Sequence, residues 1–130
     1  MRVLAVDHGE ARSGLAISDP TGVIVRPLDV VSPTTPEAVA RVAREHEAEL
    51  VVVGLPVSLD GTEGKQAKVA RRFRDRLAEA LPDLPVETYD ERLTTRMAEA
   101  SAREGAGAAA DSLAAAHLLE GYLASRQGEA

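Results

Sequence analysis

One apolar run, Leu50-Val51-Val52-Val53-Gly54, constrains what this chain can fold into more than any other stretch. It is β-branched and does not alternate with polar residues. That is the pattern of a strand covered on both faces, as in the middle of a parallel sheet. A parallel strand needs a crossover connection, so helices must flank it. A second apolar run, Val3-Leu4-Ala5-Val6, ends in Asp7-His8-Gly9, and a third candidate strand follows at Leu15-Ala16-Ile17-Ser18. The polar link Gly9 to Gly14 has glycine at both ends, which predicts a hairpin. Gly22 to Val25 and Leu28 to Val31 together read as the third strand, with Pro27 marking a bulge or an edge.

Further on, strands alternate with helices. Thr35-Pro36-Glu37 is a helix start: threonine caps, proline takes the first helical position, and glutamate suits the positive end of the dipole. Val39, Val42, Ala43 and His46 share a face of that helix, so His46 reads as a helix-face residue. The loop from Leu55 to Gly64 leaves the end of the buried strand, where α/β proteins place ligand crevices. A helix over Lys65 to Leu81 carries the stripe Val69, Phe73, Leu77 and Leu81. Val86 to Tyr89 is a strand ending in Asp90-Glu91-Arg92, and a helix opens near Leu93. Gly105 to Ala110 reads as an uncharged loop, and Asp111 as the cap or first-turn acid of a last helix over Ser112 to Ser125. Ala114, Ala115, Leu118 and Tyr122 share one side of it, and His117 lies off that side. The expected fold is α/β: one domain over residues 1–130, with a five-stranded mixed sheet whose first three strands are antiparallel.

Composition narrows the chemistry. Cysteine is absent, which excludes disulfides and thiolate metal sites and fits a reducing cytoplasm. The start carries no signal-peptide pattern, and no run approaches the ~20 apolar residues of a membrane span. The net charge of −6 argues mildly against a partner held only by bulk charge. Positive charge is nonetheless gathered at Lys65, Lys68, Arg71, Arg72, Arg74 and Arg76, which suits either a solvated face or a phosphate-binding one. Acids stand at three element ends: Asp7, Glu91 and Asp111. Strand alternation sends Asp90 and Glu91 to opposite sides, so only one of them faces Asp7 easily. Hard oxygen ligands of this kind suit Mg²⁺ or Mn²⁺, and such ions support in-line phosphodiester hydrolysis.

The segments VLAVDHGEARSGLAISD, LVVVGLPVSLDGTEGKQA, VETYDERLTTRMAE and ADSLAAAHLL, in this order and spacing, resemble the YqgF/RuvX proteins of the ribonuclease H-like superfamily. The resemblance implies a ribonuclease H-like fold. It implies Asp7, Glu91 and Asp111 as catalytic and metal-binding acids, and places Arg12, Gly54, Pro56, Thr94 and Thr95 near the substrate. It also implies a nuclease that trims the 5′ end of pre-16S ribosomal RNA, with Holliday junction resolution on branched DNA as the alternative. The substrate would then be nucleic acid, alone or in ribosomal particles, acted on in the cytoplasm by a monomer or homodimer. Family members often carry lysines or arginines between the last two helices. The uncharged Gly105 to Ala110 segment therefore shifts phosphate contact to Lys68, Arg72 and Arg76. Two other readings compete. Asp-X-Gly in a hairpin also resembles the phosphate turn of actin-like ATPases and sugar kinases, but those need two large lobes. A non-catalytic ribosome-associated RNA-binding module would make the three acids relics or structural caps, which their presence at all three positions argues against.

Overall fold

The computed structural model describes residues 1–56, 63–91 and 108–128. Five strands form one sheet: β1 (Val3–Asp7), β2 (Gly14–Ser18), β3 (Val25–Pro27), β4 (Leu50–Leu55) and β5 (Val86–Asp90), in the order β3-β2-β1-β4-β5. β1 pairs antiparallel with β2, and β2 antiparallel with β3. β4 lies parallel to β1 on one side and to β5 on the other. The unalternating run thus sits inside the sheet, and all six residues of β4 are buried.

Helices cover both faces, and strand alternation decides which residue meets which layer. Leu4, Val6, Val51 and Val53 point to one face. There they pack with α1 (Pro36–Glu45) and α2 (Lys65–Ala80) through Val39, Phe73 and Leu77. Val3, Ala5, Leu50 and Val52 point to the other, where α3 (Ala108–Gly128) supplies Ala115, Leu118, Leu119 and Tyr122. With one Phe and two Tyr in the chain, burial rests on aliphatic side chains, each worth about 1.5–3 kcal/mol when fully covered. The Thr35 hydroxyl accepts from the Ala38 amide at 3.1 Å, the predicted cap of α1. His46 is the C-cap residue of that helix, and its carbonyl accepts from Arg2 Nη1.

The structure departs from the sequence reading in three places. The third strand is only Val25–Pro27. The Asp19 carboxylate accepts from the amides of Val23 and Ile24 at 2.9 and 3.0 Å, and from the Thr21 hydroxyl. That clamp bends the chain into a turn and leaves Val23 and Ile24 exposed. Beyond β3, the Leu28 amide donates to the Leu15 carbonyl and an isolated Ser13–Val31 bridge follows. In α2, Ala67 and Ala70 are buried with Phe73 and Leu77, while Val69 is half-buried. Small side chains let that end of the helix approach Leu55 closely. In α3, the helix starts at Ala108 rather than Asp111, so Asp111 is a first-turn acid and not the cap. Thr94, Thr95, the helix expected from Leu93 and residues 105–107 lie outside the described residues.

Candidate active site

β1, β4 and β5 run parallel, so Asp7, Pro56 and Glu91 come together at the carboxyl edge of the sheet. Asp7 shares its side of β1 with Val3 and Ala5, the face that α3 covers. Glu91 follows Glu87 and Tyr89 on the same face, where Tyr89 meets the Tyr122 ring edge-on at 5.6 Å. Alternation therefore makes Glu91, not Asp90, the partner of Asp7, and the two carboxyl groups are hydrogen-bonded to each other. Such a contact needs a shared proton. Burial, the hydrogen bond to Asp7 and the charges of Asp7 and Asp90 hold the Glu91 carboxyl far above the usual carboxylate range. Asp7 is also raised, mainly by burial, although its bond to Glu91 pulls the other way.

Two glycines make this packing possible. A Cβ at Gly54 would fall on the Glu91 carboxyl group. The absent side chain lets Glu91 lie across β4 toward Asp7. Gly14, paired with Asp7 in the β1–β2 ladder, lies under the backbone carbonyl of Asp111, which a Cβ there would strike. The first turn of α3 thus rests directly on the strand next to Asp7. Ser112 anchors the same turn, its hydroxyl donating to the Leu28 carbonyl at 2.6 Å.

Asp111 is near enough for its charge to raise Asp7, but Arg12 Nε donates to its carboxylate at 2.6 Å. The structure therefore brings Asp7 and Glu91 into contact and sets Asp111 beside them in an ion pair. Among the described residues, no group of three or more His, Cys, Asp or Glu side chains is arranged to hold a metal. The donor set nonetheless fits a hard divalent cation. A cation could replace the proton that the two adjacent carboxyls share, and Asp111, paired with Arg12, is a third acid beside them.

His8 points to the opposite face, its ring 4.5 Å from that of Phe73, and burial pushes its imidazole down. There a cleft of about 330 Å³ opens between α1 and α2, lined in part by Thr34, Arg72 and Arg76. Pro56 is exposed at the end of β4, and Lys68 is exposed on α2. The cationic residues of α2 divide into two groups. Arg71 makes a two-pronged pair with Glu63 at 2.6 and 2.8 Å, and Arg74 donates to the Val86 carbonyl and to Asp75. Arg72 and Arg76 carry no such partner among the described residues. Sequence reasoning missed Gly14 and the Arg12–Asp111 pair. A glycine opening a strand, where a close backbone approach is common, was the available signal for the first.

The RuvX family, described as a Holliday junction resolvase, matches residues 1–125. A relative from Anaeromyxobacter sp. (strain Fw109-5), named "Putative pre-16S rRNA nuclease", is 44% identical over 136 residues, covering 97% of this chain and 98% of that protein. One of the same name from Chloroflexus aurantiacus (strain ATCC 29366 / DSM 635 / J-10-fl) is 42% identical over 135 residues, covering 96% and 88%. Among solved structures, RuvC of T. thermophilus in complex with a Holliday junction substrate superposes with a TM-score of 0.64 at 20% identity, covering 100% of this chain and 98% of that one. That likeness shows the fold, of the ribonuclease H-like type expected from the resemblance. With its sheet order, its acids at the carboxyl edge and a match spanning nearly its whole length, this chain belongs to the RuvX family.

Proposed function

We propose that the protein is a divalent-metal-dependent endonuclease that processes the 5′ end of pre-16S ribosomal RNA, free or in ribosomal particles. The observation that carries the reading is the Asp7–Glu91 carboxyl pair, buried at the carboxyl edge of a parallel sheet with Asp111 beside it. The names of the full-length relatives favour RNA as the substrate.

Asp7 and Glu91 would hold the metal, Mg²⁺ or Mn²⁺, and Asp111 would join them. The bound ion would supply Lewis-acid stabilisation of charge on the phosphate oxygens. The chain's own residues do the positioning. β1 fixes Asp7, and Gly54 lets Glu91 reach it. Arg12 holds Asp111 until a phosphate competes for the guanidinium, which binds phosphate and carboxylate through the same forked geometry. Arg12, Gly54, Pro56, Lys68, Arg72 and Arg76 then line the approach for substrate, with Thr94 and Thr95 assigned to it from the family pattern.

A cleavage assay with pre-rRNA ends, single-stranded RNA and four-way DNA junctions in Mg²⁺ or Mn²⁺ tests this reading. Wild type should cut the pre-rRNA end. Asp7→Asn should abolish cutting while the fold persists, with the metal-free variant melting at or above the wild-type temperature because carboxylate repulsion is relieved. Cutting of the junction alone would give the substrate to branched DNA, and full activity in Asp7→Asn would remove the acids from the mechanism.

A further inference from the structure

The cleft on the far face of the sheet has features that the acid cluster does not explain. Its floor is Phe73, with the His8 ring lying against it. Arg72 and Arg76, one helical turn apart on α2, form one wall, and Thr34 and Pro36 at the start of α1 form the other. None of the described residues lining it is acidic, in a chain whose net charge is −6. Arg71 and Arg74, on the same helix, are taken up by Glu63, Asp75 and a backbone carbonyl, whereas Arg72 and Arg76 have no such partner among the described residues. Pro36 is the first residue of α1, so the positive end of that helix faces the same space. The cleft and the acids adjoin, because Asp7 at the end of β1 and His8 just beyond it are consecutive residues whose side chains point to opposite faces of the sheet.

From this placement we infer that the cleft binds a single unpaired nucleotide of the substrate strand next to the cleavage site, gripped by its phosphate between Arg72 and Arg76. About 330 Å³ lies at the small end of the range for ligand clefts, roughly 300–1,000 Å³, which leaves room for one nucleotide and none for a duplex. The half-exposed His8 ring, steadied by Phe73, offers a flat surface to the base. A strand crossing the sheet edge from Asp7 over His8 then has one phosphate at the acids and a neighbouring one in the cleft. The enzyme would prefer a target with a single-stranded flank over one paired to its end. The inference rests on the nuclease reading of the acids and adds the form of substrate that they accept.

The test uses fluorescence anisotropy with Asp7→Asn protein and two RNA hairpins, one blunt and one with a single-stranded 5′ tail. The tailed hairpin should bind more tightly. Adding Arg72→Glu and Arg76→Glu should weaken the tailed complex about tenfold, as expected when charge-assisted hydrogen bonds at an exposed site are removed. It should weaken the blunt complex much less and lower the salt slope on the tailed RNA by about 0.7 for each phosphate no longer neutralised. Arg72→Lys with Arg76→Lys should keep the tail preference, and the melting temperature of each variant shows that it is folded. Equal weakening on both hairpins, or no weakening on either, would overturn the cleft assignment while the nuclease reading stands. Failure of the Asp7→Asn protein to bind either hairpin would overturn both.

Discussion

Glu91 carries a carboxyl group whose protonation the fold shifts strongly upward. In the unfolded chain its carboxyl ionises near the ordinary 4.5, while in the fold it holds its proton to a much higher pH. Between those two values the native state binds more protons than the unfolded one, so stability falls as pH rises. For one group the slope is at most about 1.4 kcal/mol per pH unit. The metal-free protein should therefore melt at progressively lower temperature between about pH 6 and about pH 8. Glu91→Gln cannot ionise and keeps a group that can donate to Asp7, so thermal melts of that variant should stay flat over the same range. A wild-type protein with no such slope would mean that Asp7 and Glu91 do not share a proton. Gly54→Ala examines the same contact from the other side. The new methyl group meets the mobile end of the Glu91 side chain and not the backbone. It should displace Glu91 at a stability cost of about 1 kcal/mol, the lower end for overpacking. The pH slope should vanish and the rise in melting temperature on adding Mn²⁺ should shrink. If calorimetry shows undiminished Mn²⁺ binding, Glu91 does not depend on that gap.

At the scale of elements, α2 shows how far a charge run can be read. Its sequence shows six cations but not which of them are already engaged. Arg71 is spent on Glu63 in an exposed pair worth at most about 1 kcal/mol, and Arg74 caps the Val86 carbonyl. Lys68, Arg72 and Arg76 recur at four-residue spacing along one stripe. Reversing those three to glutamate should weaken nucleic-acid binding at low salt and flatten its salt dependence, whereas Arg71→Gln should leave the slope unchanged. Affinity measured across a salt series separates the two, and a slope change in Arg71→Gln would contradict this division. The same limit explains the third strand. Val23, Ile24 and Val25 have strand-forming side chains, but the Asp19 carboxylate, four residues before Val23, captures two of their amides. Local hydrogen bonding by an aspartate competes with the ladder, and β-propensity does not register it.

For the whole molecule, the hydrophobic pattern made the mixed five-stranded sheet and its flanking helices legible, while the position of β5 in the strand order comes from the structure. The unalternating β4 demanded cover on both faces, and period-two alternation allowed only one of Asp90 and Glu91 to face Asp7, the family pattern naming Glu91. The route by which Asp111 reaches them was not legible, because it depends on how closely a helix can approach a strand. That distance is set at Gly14, where the backbone of α3 touches β2. Gly14 sits opposite Asp7 in the ladder, so the helix that completes the fold also delivers the third acid. Gly14→Ala should therefore behave unlike Gly54→Ala. The added methyl group meets a main-chain carbonyl, which cannot rotate away, so α3 must lift from the sheet. Ser112 would be drawn off the Leu28 carbonyl with it. The cost should be about 1–3 kcal/mol, lowering the melting temperature by several degrees in a chain of this size. Asp111 would move away from Asp7, while the Asp7–Glu91 pair, held at the ends of β1 and β5, stays in place. The variant should keep the wild-type pH slope of stability and lose cleavage. An unchanged melting temperature would show that α3 does not rest on Gly14. Loss of the pH slope would show that the carboxyl pair depends on the docked helix after all.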